Sequence, residues 1–182
     1  PVEVRQPRNM WADGAEDIDP ETGYATIRSN AQNRYVPNFS YGKGKIVWNF
    51  ESVNMPAGTD GFLYLNGDTW HWNGAANGAG WIQIRIYPQD STTKSSFKLH
   101  YDWTAEEFTL EESMNDIKTI ELDTKVDPED ATKVNVTFSI NGKVYYSGKK
   151  HNAFDLDGHK GVIFYSGFSG PFSPECTIVF KS

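Results

Sequence analysis

Apolar and polar residues alternate with a period of two along most of this chain. Ala25 and Ile27 alternate with Tyr24, Thr26 and Arg28, and Ile46, Trp48 and Phe50 alternate with Lys45, Val47, Asn49 and Glu51. Ile82, Ile84 and Ile86 alternate with Gln83, Arg85 and Tyr87, while Phe97, Leu99, Tyr101 and Trp103 alternate with Lys98, His100 and Asp102. The same pattern sets Ile120 and Leu122 against Thr119, Glu121 and Asp123, and Val134, Val136, Phe138 and Ile140 against Asn135, Thr137 and Ser139. Successive side chains of a strand point to opposite faces, so each run predicts a strand with one dry and one wet face. Residues 62–65 form an apolar run short enough for a fully buried strand. Further strands are predicted over about 143–147, 160–166 and 176–181.

Between KVNVTFSI and KVYYSG, Asn141-Gly142 suits a type I′ turn, in which both central residues need positive φ. Residues 1–23 read as an irregular lead-in, punctuated by Pro7, Asp13-Gly14, Pro20 and Gly23. Residues 104–117 leave two outcomes open. One is a short helix capped by Thr104, with Glu107 at capping-box spacing; the other is a loop followed by an irregular strand. About ten strands and almost no helical period predict an all-β fold, an antiparallel β-sandwich of two packed sheets. A single domain over residues 1–182 is expected from the length.

A chain of 182 residues buries roughly 70% of its unfolded surface, so it needs no covalent staple. Cys176 is the single cysteine, which excludes an internal disulfide and a cysteine metal cluster. The net charge of −7 argues against nucleic acid as a partner, because no basic field would offset phosphate repulsion. No apolar run reaches the roughly 18–20 residues of a membrane-spanning helix. Aromatic residues make up 14% of the chain, enough to furnish a recognition surface as well as a core. A start at Pro1 rather than Met is expected where a leader or tag has been removed, or where a domain has been excised.

Three stretches carry a resemblance: KVNVTFSINGKVYYSG, DLDGHKGVIFYSGFSG and the terminal ECTIVFKS. Over about the last 60 residues they make the chain similar to the concanavalin A-like superfamily of jelly rolls, and strand rhythm extends the likeness to the rest. That group includes legume-type lectins, laminin-G-like domains, glycan-binding modules, glycoside hydrolases and jelly-roll polysaccharide lyases. The resemblance implies a jelly-roll sandwich and, for many members, a secreted or extracellular setting.

The segment DTWHWNGAANGAGWIQIRIYP holds the candidate chemistry. If the three isoleucines face the core, Gln83, Arg85 and Tyr87 form a row on the other face. If the next strand pairs with it, Lys98 and His100 lie beside that row. Gln, Arg, Tyr and His carry planar hydrogen-bonding groups suited to sugar hydroxyls and carboxylates, whereas a merely solvated face is usually richer in Thr, Lys and Glu. Trp70 and Trp72 flank His71 beside a tip of Gly, Ala and Asn. Exposed indoles there could stack on the apolar face of a pyranose ring, although Trp is mostly buried on average. The expected function is binding of an oligo- or polysaccharide, with Arg85 and Lys98 favouring an acidic one. The expected ligand-binding residues are Trp70, His71, Trp72, Gln83, Arg85, Tyr87, Lys98 and His100.

Two other functions remain open on sequence. Gln83-Ile84-Arg85 resembles part of the Gln-Ile-His strand of alginate-lyase-type enzymes, with Arg85 where histidine would stand. In a lyase cleaving a uronate-containing glycan by β-elimination, Gln83 and Arg85 would neutralise the carboxylate, His100 would take the proton and Tyr87, Tyr101 or Tyr165 would protonate the leaving oxygen. An extracellular protein-interaction domain using the same face is the third reading. Glycoside hydrolysis has less support: Glu121-Leu122-Asp123 begins the paired-carboxylate pattern, but residue 126 is Val. No organic cofactor is implied. Asp17-Ile18-Asp19 and Asp155-Leu156-Asp157-Gly158 offer hard oxygen donors for a structural Ca2+, though Asp-Gly is also ordinary turn chemistry. The four histidines are scattered, which argues against zinc.

Overall fold

The computed structural model describes residues 17–29, 34–35, 45–56, 58–59, 61–68, 81–99, 105–151, 163–169 and 175–181. In chain order the strands are β1 (Asp17–Ile18), β2 (Ala25–Arg28), β3 (Arg34–Tyr35), β4 (Lys45–Asn54), β5 (Phe62–Asp68), β6 (Trp81–Ile86) and β7 (Ser95–Leu99). They continue as β8 (Ala105–Phe108), β9 (Thr119–Val126), β10 (Lys133–Ile140), β11 (Lys143–His151), β12 (Ile163–Ser169) and β13 (Thr177–Phe180). One 3-10 turn, Met114–Asp116, precedes β9.

The strands form two sheets. Seven lie in the order β1-β2-β13-β4-β9-β10-β11, and six in the order β3-β12-β5-β6-β7-β8. All their pairings are antiparallel. Two sheets have one inner face each, so the period of two puts alternate residues into a shared core. Ile82, Ile84, Ile86 and Phe97 from the six-stranded sheet meet Trp48, Ile120, Leu122, Val136 and Phe138 from the seven-stranded one. The Phe97 and Phe138 rings stack across the interface at 6.1 Å, and Phe108 approaches Phe138 at 5.3 Å. Leu99, expected in this core, has a described backbone only.

Four local findings refine the sequence expectations. Asp17–Ile18, inside the stretch read as irregular, pairs with β2. Residues 62–65 are not buried in one core: Leu63 and Leu65 join it, whereas Tyr64 is buried outside it and Phe62 is half-buried. Residues 105–108 are a strand, because Ser95–Lys98 offers them a ladder partner and tertiary pairing overrides the helix-capping signal. The following loop carries the 3-10 turn, where the Ser113 side chain accepts from Asn115 N. Asn141 and Gly142 take φ of 49° and 81°, as the hairpin turn requires.

Candidate functional site

Strand β6 is central in the six-stranded sheet, between β5 and β7. Its inward residues Ile82, Ile84 and Ile86 are at most 1% exposed. That burial fixes the register, and Gln83 and Arg85 are left half-exposed on the outer face. Across the β6–β7 ladder Gln83 sits opposite Lys98 and Arg85 opposite Ser96. Across the β5–β6 ladder Gln83 sits opposite Asn66 and Arg85 opposite Tyr64. The two polar rows are therefore adjacent, as the alternation of both strands requires once they pair.

Arg85 is the best-organised group on this face. Its Nε donates to Gln83 Oε1 at 2.5 Å, and its Cζ lies 4.7 Å from the centroid of the Phe62 ring. Phe62 in turn packs against Tyr87 at 5.1 Å and edge-on to Tyr64 at 6.3 Å. The guanidinium is thus held on its Nε edge by an amide and on one face by an aromatic ring. Among the described residues, its two Nη atoms bond to no protein acceptor. Two parallel N–H groups lying in a clamped guanidinium plane match the spacing of a carboxylate. Glu107, opposite Ser96 on β8, is the nearest acidic cross-strand neighbour in this row, two strands from Arg85. No ion pair joins the two.

Of the eight residues expected to bind ligand, Gln83, Arg85, Tyr87 and Lys98 come together here. Trp70, His71, Trp72 and His100 lie outside the described residues, as do Tyr101 and Thr104. Their points of attachment are nonetheless defined. Residues 69–80 join the end of β5 to Trp81, and His100 follows Leu99. Asp68 pairs with Trp81 and Leu99 with Ile82, so these described strand ends lie at the same end of the sheet, beside Gln83 and Lys98. Tyr165 belongs to β12, where its backbone faces Asn66 and Tyr35.

Sequence reasoning missed Phe62 and Tyr64. Their signal was available: Phe62 and Tyr64 alternate with Leu63 and Leu65, but four apolar residues in a row mask a period of two.

The carboxylates considered for hydrolysis are elsewhere. Glu121 and Asp123 stand on β9 of the seven-stranded sheet, on the outer side from buried Ile120 and Leu122. Glu121 is engaged with Lys45 at 2.9 Å. Asp19 Oδ1 accepts from Glu21 N and Thr22 N, as in an Asx turn. Among the described residues no group of three or more His, Cys, Asp and Glu side chains is arranged to hold a metal ion. Asp155 and Asp157 lie outside them.

No protein-family model matches the chain, and no curated protein does. Solved structures match in fold. The winged bean acidic lectin complexed with methyl-α-D-galactose aligns over 98% of this chain and 91% of its own, with a TM-score of 0.57 and 10% identity. The Emp46p carbohydrate recognition domain in its metal-free form aligns over 100% and 94%, at 0.56 and 14%. The Bacillus licheniformis β-glucanase aligns over 99% and 92%, at 0.55 and 11%. The chain shares the jelly-roll fold of these lectins and β-glucanases.

Proposed function

We propose that this chain is a carbohydrate-binding domain, with its site on the outer face of the six-stranded sheet and an acidic glycan as its ligand. The observation that carries this reading is Arg85, clamped by Gln83 and Phe62, with neither Nη atom bonded to an acceptor among the described residues. A bidentate contact there would hold a uronate carboxylate or a sulfate, and preorganisation reduces the ordering cost of forming it. Tyr87 and Phe62 offer a neighbouring aromatic surface, and Lys98 adds positive charge one strand away. Trp70, His71, Trp72 and His100 would complete the site from the end of the sheet at which their segments attach. Lectins of the same fold that are solved with methyl-α-D-galactose and with a fucoside support a sugar as the ligand. A secreted or extracellular setting accords with such a role.

The test is calorimetric titration with oligomers of a uronic acid and with a neutral oligosaccharide of equal length. Arg85→Ala is expected to weaken uronate binding by about 10-fold or more, the size of a lost charge-assisted pair. Arg85→Lys should recover only part of it, since an ammonium cannot make the planar two-point contact. Equal binding of both ligands, unchanged in Arg85→Ala, would place the site elsewhere. Unsaturated product, followed by its ultraviolet absorbance and lost in His100→Ala or Tyr87→Phe, would make the protein a lyase instead, because a proton-transfer group acts in the transition state.

A further inference from the structure

The tip of the β10–β11 hairpin does more than reverse the chain. Asn141 Oδ1 accepts from Lys118 N at 2.7 Å and from Thr119 N at 3.0 Å, and its Nδ2 donates to Asp116 O at 2.9 Å. Its backbone N donates to Thr119 O at 2.9 Å. All of these contacts go to residues 116–119, the end of the loop that carries the chain from β8 in one sheet to β9 in the other. The same loop is tied to the residue after β4 through Asn115 Oδ1, which accepts from Met55 N at 2.8 Å. Asn141 therefore pins the crossover between the sheets, although it is itself exposed.

Asn141 is followed by glycine, which makes it chemically vulnerable. The Gly142 amide nitrogen, having lost its proton to hydroxide, can attack Asn141 Cγ. The Cγ–Nδ2 bond breaks and ammonia leaves. Water then opens the resulting succinimide at either carbonyl, giving aspartate or isoaspartate. Glycine presents no side chain to hinder ring closure. In the folded chain, however, both ends of the Asn141 amide are bonded to residues 116–119. Closure requires those bonds to break first.

We propose that Asn141 is a deamidation site gated by the fold. Reaction proceeds only when the hairpin tip detaches from residues 116–119, and the product cannot redock as before. Aspartate at this position has no Nδ2 donor and sets a negative charge against the Asp116 carbonyl. Isoaspartate adds a backbone carbon between Ile140 and Lys143, which are paired across the turn.

Tryptic mapping tests this, because residues 134–143 and residues 46–85 fall in separate peptides. The second contains Asn66-Gly67, Asn73-Gly74 and Asn77-Gly78. The protein is incubated at mildly alkaline pH, folded and in urea, and the gain of one mass unit is followed in each peptide. For residues 134–143 the folded rate is expected to be at least about tenfold below the unfolded rate, since local opening is needed. In urea, the 46–85 peptide reports the reactivity of Asn-Gly in the same samples without the fold. Equal folded and unfolded rates at Asn141 would overturn the proposal. Native-state hydrogen exchange provides a second test without a variant. The Lys118 and Thr119 amides are expected to be protected. Free exchange of both in the unmodified protein would equally overturn it.

Discussion

At the scale of single residues, burial and partnering decide what each alternating position does. Ile84 has no exposed surface and sits between Leu65 and Phe97 in the two ladders. Truncating it removes buried methylenes and leaves a cavity that these neighbours can only partly fill. Ile84→Ala is expected to cost about 2–5 kcal/mol in chemical denaturation. A loss below about 1 kcal/mol would mean that the strand faces the other way, and Gln83 and Arg85 with it. One residue further on, Arg85 shows why a polar position is not automatically a solvated one: an amide and a ring hold its plane, so its donors are already aimed. Cys176 is a contrasting case, a buried thiol pushed up in pKa chiefly by desolvation.

At the scale of elements, side-chain clamps hold connections that the ladders do not. Tyr145 on β11 donates its hydroxyl to Glu112 and accepts from Glu111 N at 3.2 Å, which ties the loop after β8 to the seven-stranded sheet. Lys143 pairs with Glu111 beside it. The hydrogen bond from Tyr145 holds the Glu112 carboxyl below its ordinary pKa. A depressed folded pKa contributes stability that is full above the unfolded carboxyl value and is lost as pH falls through the folded one. Asp127, lowered by Lys149, and Asp130, lowered by Thr132, act in the same direction. Tyr145→Phe should therefore lower the melting temperature at neutral pH, and the gap from wild type should narrow toward acid pH as Glu112 takes up its proton. A gap of equal size at neutral and acid pH would show that the ionised carboxylate contributes nothing. The ring contact of Tyr145 with Phe108, at 5.4 Å, is retained in the variant and does not confuse the comparison.

At the scale of the whole molecule, the two sheets are joined at one margin by a charge pair. Lys150 of β11 is 4% exposed, and its ammonium donates to Glu106 of β8 at 2.9 Å. Both strands are edges of their sheets. Inward-pointing charges at such edges discourage pairing with another chain. Removing Glu106 alone takes the carboxylate from a buried ammonium, so Glu106→Ala should destabilise clearly. The double variant Glu106→Leu/Lys150→Met should recover stability to near or above wild type, since packed apolar residues often replace a buried ion pair without loss. Thermal denaturation checks both. A double variant weaker than Glu106→Ala would show the pair to be net stabilising. Self-association of the double variant, followed by light scattering, would show that the charges keep the edges apart.

Much of this protein was legible in the order of its residues, because a strand repeats every two positions. The inward faces of β6, β9 and β10, the Asn141-Gly142 turn and the adjacency of the polar rows follow from alternation and from short connections. What alternation cannot say is which sheet a strand joins. Glu121 and Gln83 sit in similar patterns, yet long-range pairing puts one on the outer face of the seven-stranded sheet and the other on that of the six-stranded sheet. Capping chemistry around Thr104 suggested a helix, but residues 105–108 became a strand, because a neighbouring edge supplied hydrogen bonds that a single turn of helix could not match. Tyr64 was hidden in an apolar run, and its place opposite Arg85 depends on a cross-strand partner 21 positions away. The grip of Phe62 on Arg85, the pin at Asn141 and the Lys150–Glu106 pair likewise join residues far apart in the chain. The sequence by itself determined the period, and with it the inside and the outside of each strand. Only the tertiary structure decided which outer faces met, because register and sheet order are settled by packing among distant segments.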